Sequence, residues 1–246
     1  MQLKLTLSYN GAKFCGSQTQ PNGRGVEDAL NEALKKLGIF DAVASAGRTD
    51  KGVGAFGQVC AVKANECWRG RLDALQAELN SHIQKLHAHS LIVRKIEEAV
   101  ADFQPRFDAK ARLYRYFLCH DKPNIFLSDF AYFTPKPNLK LLNEALSAFV
   151  GRRDFSEFCK KGGWEKGYER EVFAAYAYSF RNHGGEFSVV CFKANAFLRS
   201  QVRLMLANAL AAAKSEDLTR ELRENFKPLT RIPAPSNGLF LARVFY

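Results

Sequence analysis

Leu3, Leu5, Leu7 and Tyr9 alternate with Gln2, Lys4, Thr6 and Ser8, the period-two signature of a strand with one buried face. The period then changes. Val26, Ala29, Leu30, Ala33, Leu34 and Leu37 recur at helical spacing, and Gly38 follows as a C-terminal stop. Short apolar segments around Val43 and from Val59 to Val62 predict two more strands. A helical stripe of Leu72, Leu75 and Leu79 follows, then the strand Leu91 to Val93. The order is β-α-β-β-α-β.

A similar order restarts near Lys110. A strand is expected through Leu113 to Leu118, and a helix on Leu142, Ala145, Leu146 and Phe149. Two strands are expected near Val172 to Phe180 and Phe187 to Phe192. Phe197, Val202, Met205, Leu206, Ala209 and Leu210 predict a second helix. A Pro-rich connector with Pro228, Pro233 and Pro235 then leads to a last strand, Leu239 to Tyr246. These patterns predict an α+β protein of two ferredoxin-like, split β-α-β halves with antiparallel sheets, divided near Gln104 into residues 1–104 and 105–246.

Composition adds a direction. A 47% hydrophobic and 25% charged chain of 246 residues can bury a core and is expected to fold throughout. Lys and Arg exceed Asp and Glu by 36 to 25, a net charge of +11 that favours a polyanionic partner. No stretch reaches the roughly 20 apolar residues of a membrane span, and Met1 to Tyr9 lacks the pattern of a secretory signal, so a cytoplasmic location is expected. Cys15, Cys60, Cys67, Cys119, Cys159 and Cys191 lack paired short spacing and read as free, mostly buried thiols. His87-x-His89 can place two imidazoles on one face of a strand, but no neighbouring ligand completes a metal site.

The segment Ala46-Gly47-Arg48-Thr49-Asp50-Lys51-Gly52-Val53-Gly54-Ala55-Phe56-Gly57-Gln58-Val59 sets an Arg and an Asp among four glycines between two apolar strands. Such a loop can hold a carboxylate rigidly and admit a substrate close to its backbone; composition alone equally fits a surface turn with Asp50 bonded to neighbouring amides. Other blocks stand out as well. They are Tyr9-Asn10-Gly11 with Phe14, Gly16, Gln18 and Gln20; Phe103 with Arg106-Phe107; Arg112-Leu113-Tyr114-Arg115-Tyr116; Asp154-Phe155-Ser156 with Phe158; Ala194-Asn195-Ala196-Phe197-Leu198 with Val202-Arg203; and Pro235 with Gly238-Leu239.

In these blocks and their order the chain resembles the tRNA pseudouridine synthase A family over essentially its whole length. The resemblance implies an isomerase that converts uridine to pseudouridine in the tRNA anticodon stem-loop, positions 38 to 40, as a homodimer with a central RNA-binding cleft in an extended sheet. It places the nucleophilic aspartate on Asp50, the arginine that holds or displaces the base on Arg48, the active-site tyrosine on Tyr114, and the arginine that pairs with the aspartate on Arg203. The chain departs from the pattern at Lys51 and Gly54, where the family commonly has Ala and His, and at Gln104-Pro105, where it commonly has His-Ala.

The implied chemistry breaks the bond from N1 to the ribose C1′, turns the base and rejoins it through C5. No redox change or lost group is involved, so no metal or cofactor is required. A carboxylate can form a covalent intermediate or stabilise positive charge at the sugar, and a nearby guanidinium keeps it ionised. Tyr114 can stack on an extruded base or relay the C5 proton; by strand periodicity it shares a face with Arg112, Tyr116 and Leu118. Arg106, Lys110, Arg112, Arg152, Arg153, Lys160, Lys161 and Arg199 are the candidate phosphate contacts, with Lys160-Lys161-Gly162-Gly163 expected as a mobile basic loop.

Overall fold

The computed structural model of the chain describes residues 1–162 and 167–246, so Gly163, the end of the expected basic loop, lies outside the described residues. Two compact units form. One comprises Met1–Lys110 with Phe240–Tyr246, the other Ala111–Leu239.

The first unit runs β1 (Gln2–Tyr9), α1 (Val26–Lys35), β2 (Ala44–Ser45), β3 (Gly54–Lys63), α2 (Leu72–His87) and β4 (Leu91–Ala99). β1 is central, antiparallel to β3 with Leu5 opposite Cys60 and to β4 with Leu5 opposite Ile96. Its alternating side chains sort as the pattern predicts: Leu3, Leu5 and Leu7 are wholly buried, each contributing about 1.5–3 kcal/mol. α1 buries Val26, Ala29, Leu30, Ala33 and Leu34 and packs on α2, which packs on β4. Asn80 of α2 binds the Val93 backbone twice, donating to its carbonyl and accepting from its amide at 2.8 Å each. These bonds lie next to the register shift between β1 and β4, where the ladder is interrupted.

The second unit runs β5 (Ala111–Cys119), β6 (Tyr132–Phe133), α3 (Leu139–Ser147), β7 (Gly151–Asp154), β8 (Glu169–Asn182), β9 (Gly185–Ala194), α4 (Gln201–Ala212) and α5 (Glu216–Asn225). Its sheet is antiparallel in the order β5-β9-β8-β7, with β6 added parallel to β5. α3 packs on β8, α4 and α5, and an aromatic cluster of Phe149, Phe155, Phe158 and Phe226 fills the space beside them. The last strand, β10 (Leu239–Phe245), lies parallel to β3 in the first unit, with Phe240 opposite Gly54.

Three sequence expectations change. The connector after Ala212 contains α5, whose Ser215 side chain caps the Leu218 amide and which buries Thr219 and Leu222. Phe197 lies outside α4, because Ser200 takes a left-handed conformation (φ 57°) and starts the helix at Gln201. His87 ends α2, and Ala88 and His89 are left-handed, so the two imidazoles do not share a strand face. Among the described residues no helix is long and apolar enough to cross a membrane.

Candidate active site

The loop from Ala46 to Val53 joins β2 to β3, and its backbone is fixed at several points. The Ala46 amide donates to the Val59 carbonyl (2.8 Å), and Gln58 Nε2 donates to the Gly47 carbonyl (2.8 Å). Thr49 is the deepest anchor. Its amide donates to Ser17 Oγ at 2.8 Å, its carbonyl accepts from the Ser17 amide at 3.1 Å, and its hydroxyl shares a hydrogen bond with Tyr9 Oη at 2.9 Å. Ser17, Thr49 and Tyr9 are all buried, so these bonds are shielded from competing water. Asp50 follows half-buried, its carbonyl accepting from the Val53 amide (3.1 Å) to close a turn.

The glycines of the preceding block serve this loop. A Cβ on Gly11 would lie 2.2 Å from the Val53 carbonyl carbon and oxygen, so only glycine lets the two backbones meet there. Gly16 is left-handed (φ 108°), and a Cβ on it would reach the Thr49 carbonyl oxygen at 3.2 Å. The Gly16 and Ser17 carbonyls in turn accept from Val26 and Glu27 (3.2 and 2.9 Å), otherwise unpaired amides at the start of α1. Strand β1, the turn after it and the helix N-terminus therefore hold the Thr49–Asp50 backbone together. The departure at Gly54 has a local reason, since a Cβ there would sit 2.4 Å from the Phe240 ring.

In the second unit, β5 carries Arg112, Tyr114, Tyr116 and Leu118 on its buried face, as its periodicity predicts. Tyr114 is 9% exposed and meets the Phe197 ring edge to face, with centroids 5.3 Å apart. Phe197 is positioned by its neighbour Asn195, whose side-chain oxygen accepts from the Glu171 and Ala196 amides at 3.1 and 2.7 Å. Arg112, also 9% exposed, donates to the Asn195 carbonyl at 2.7 Å, which holds its guanidinium in the interior rather than at the surface. Arg203 on α4 donates through Nε to the Ala234 carbonyl at 2.8 Å, and its own carbonyl accepts from the Ala234 amide at 3.1 Å. Burial pushes the Tyr116 phenol far up, an effect the Arg203 charge partly offsets, so that guanidinium lies within electrostatic reach of the same strand face.

The remaining basic candidates divide. Arg48 is exposed, without a hydrogen-bond or ion-pair partner among the described residues, and Arg106 and Lys110 are exposed in the first unit. Lys160, Lys161 and Arg199 are exposed in the second, and the Lys160 amide bonds the Arg199 carbonyl (3.0 Å), which clusters the three. Arg152 is paired with Glu169, and Arg153 lies over the Phe226 ring at 4.8 Å. The sequence reading missed Ser17 and Phe197 as supporting residues. Phe197 carried a misleading helical spacing, and Ser17 carried no pattern at all, since its partner Thr49 is 32 residues away.

None of the six cysteines is in a disulfide; Cys60, Cys119, Cys159 and Cys191 are buried, and burial pushes the Cys60 thiol up to about 12. His87 Nε2 lies 3.5 Å from a Glu32 carboxylate oxygen, and no group of three His, Cys, Asp or Glu side chains suited to a metal ion occurs among the described residues.

The Arg-Thr-Asp turn is anchored through Thr49, and Tyr114 is buried on β5, in a chain of net charge +11. Comparison with known proteins identifies the family. The family model described as tRNA pseudouridine synthase matches residues 145–246. tRNA pseudouridine synthase A of Campylobacter jejuni subsp. doylei is 42% identical over 250 residues, covering 100% of each chain. The protein of the same name from Helicobacter pylori strain 26695 is 37% identical over 246 residues, covering 99% of this chain and 98% of its own. The chain belongs to the tRNA pseudouridine synthase A family, whose enzymes isomerise uridine to pseudouridine in tRNA.

Proposed function

We propose that this isomerase acts in the cytoplasm, as a homodimer, on uridines 38 to 40 of the tRNA anticodon stem-loop, with Asp50 as its nucleophile. The observation that carries the reading is the buried Ser17–Thr49–Tyr9 network, which holds the residue next to Asp50 far more firmly than a surface turn needs. The carboxylate forms the covalent intermediate while the N1–C1′ bond breaks. The base turns, C5 bonds to C1′ as the bond between the carboxylate and the substrate breaks and frees Asp50, the C5 proton leaves and N1 takes up a proton, so atoms balance with nothing added or lost. Arg203 supplies the guanidinium that keeps the carboxylate ionised against desolvation. Arg48 holds the displaced base, and Tyr114, backed by Phe197, presents its ring to it. Arg106, Lys110, Lys160, Lys161 and Arg199 contact phosphates, and Arg112 acts on the site through Asn195. The split β-α-β reading of both halves and a basic RNA-binding cleft belong to this proposal.

Asp50→Asn and Asp50→Ala are expected to abolish pseudouridine formation in tRNA by the purified protein while tRNA is still bound; retained isomerisation removes the nucleophile assignment. Arg203→Lys is expected to lower kcat at least about tenfold, because an ammonium cannot reproduce the guanidinium fork. Unchanged turnover would remove its role.

A further inference from the structure

Glu27 stands in the first turn of α1 and makes contacts that a helix start does not need. The helix is already capped by its neighbour: Asp28 Oδ2 accepts from the Gly25 amide at 2.8 Å and from the Gln20 amide at 3.0 Å. A further acid at such an N-terminus ordinarily lies in solvent and gains from the helix dipole alone. The Glu27 side chain is instead half-buried and bridges two other segments. Its Oε2 accepts from the Thr19 amide at 3.2 Å, and its Oε1 accepts from Ser45 Oγ at 2.7 Å. Thr19 follows closely on Ser17, and the Glu27 amide itself donates to the Ser17 carbonyl at 2.9 Å. Ser45 ends β2, immediately before Ala46, where the Asp50 loop begins.

Ser45 is fixed from its other side as well. Its hydroxyl gives its one proton to Glu27, so the 3.2 Å contact with Cys60 Sγ takes the thiol proton. Burial pushes that thiol up to about 12, which keeps its proton in place at neutral pH. The chain of bonds from Cys60 through Ser45 and Glu27 to Thr19 thus links β3, β2, the start of α1 and the turn after β1. Both supports of the loop meet on one carboxylate: the turn whose Ser17 grips Thr49, and the strand from which the loop departs.

We infer that Glu27 is a positioning residue for the isomerisation, setting Asp50 in place by clamping the Ser17 turn to the end of β2. It acts through the backbone it holds. Only Ala46 to Thr49 separate Ser45 from Asp50, so slack at either support passes to the carboxylate, and a displacement of about 1 Å can cost on the order of 100-fold in rate. The inference rests on Asp50 as the nucleophile and names what holds it.

Glu27→Ala, Glu27→Gln and Asp50→Asn, each shown by circular dichroism to be folded at the assay temperature, are compared with the wild type in steady-state pseudouridine formation on tRNA. Glu27→Ala is expected to lower kcat at least about tenfold while KM for tRNA stays within about threefold. Glu27→Gln is expected to stay within about threefold of wild-type kcat, because its carbonyl oxygen accepts from Thr19 and its amide donates to Ser45 Oγ, whose proton then turns to Cys60 Sγ. Wild-type turnover in Glu27→Ala overturns the inference. So does a rise in KM that accounts for the whole loss, which would make Glu27 an RNA contact, and so does a Gln variant as slow as the Ala variant, which would trace the effect to charge. Asp50→Asn keeps the two readings apart: activity retained there removes the nucleophile and this inference with it, whereas an inactive Asp50→Asn beside a fully active Glu27→Ala removes this inference alone. Should Glu27→Ala fail to fold, Ser45→Ala, which deletes the partner of Oε1, takes its place: a fall in kcat at steady KM supports the clamp, and unchanged turnover overturns it.

Discussion

The residue that decides how well Asp50 is placed is its neighbour. Thr49 is held by the Ser17 amide, which donates to its carbonyl, and by a hydroxyl contact with Tyr9, and the Ser17 hydroxyl accepts from the Thr49 amide in a site closed to solvent. Ser17→Ala deletes that acceptor and leaves a buried N–H without it, a loss of about 1–3 kcal/mol. Urea unfolding should register the destabilisation, and at a permissive temperature kcat should fall more than KM changes, because the loop that orients the carboxylate loosens while the RNA contacts remain. A stability loss with kcat untouched would show that the network holds the fold and not the site. Tyr116 shows the opposite situation. Its hydroxyl is fully buried and finds no hydrogen-bond partner among the described residues, so Tyr116→Phe is expected to leave unfolding midpoints unchanged or raise stability by about 1 kcal/mol. A marked loss of stability would mean that the hydroxyl is bonded in solution.

Among the elements, β5 and the segment between β9 and α4 form one device. Arg112 reaches from the strand to the Asn195 carbonyl, the Asn195 side chain gathers two amides, and Phe197 is thereby set against Tyr114. Asn195→Ala removes an acceptor shared by two exposed backbone donors; the expected outcome is about 0.5–1.5 kcal/mol lower stability and a lowered kcat, read by urea melts and pseudouridine yield. Full activity would separate Phe197 from the site. This device also marks where the sequence was readable and where it was not. Strict alternation exposed β1 and the shared face of Arg112, Tyr114, Tyr116 and Leu118, because a period of two is a local property. Phe197 fell at helical spacing ahead of α4, and only the left-handed Ser200 excludes it, a backbone choice that apolar periodicity does not encode. α5 was hidden for a different reason: its buried face is just Thr219 and Leu222 in a charged segment, and the one local signal was the capping Ser215 before Glu216 and Asp217. Asp50 stood out only through its resemblance-bearing neighbours, because the partners that fix Thr49 lie 32 and 40 residues away.

Over the whole molecule, a net charge of +11 favours tRNA without saying which cations touch it. The structure sorts them. Arg152 is already paired with Glu169 and Arg153 covers Phe226, whereas Lys160, Lys161 and Arg199 are exposed and tied together by a backbone hydrogen bond. A cation neutralised by its own carboxylate releases few counterions on binding; an exposed one that meets a phosphate releases nearly one, and the logarithm of the binding constant then falls by about 0.7–0.9 per decade of salt for each contact. Replacing Lys160, Lys161 and Arg199 together by Ala should therefore flatten the salt dependence of tRNA binding by roughly two units and weaken all tRNA substrates alike, since phosphate contacts carry no sequence. Arg152→Ala should leave that slope nearly unchanged. If the two variants shift the slope equally, net charge alone attracts the RNA; if the triple variant leaves it untouched, the phosphates run over a different set of cations, and Arg48 and Arg106 in the first unit become the ones to replace.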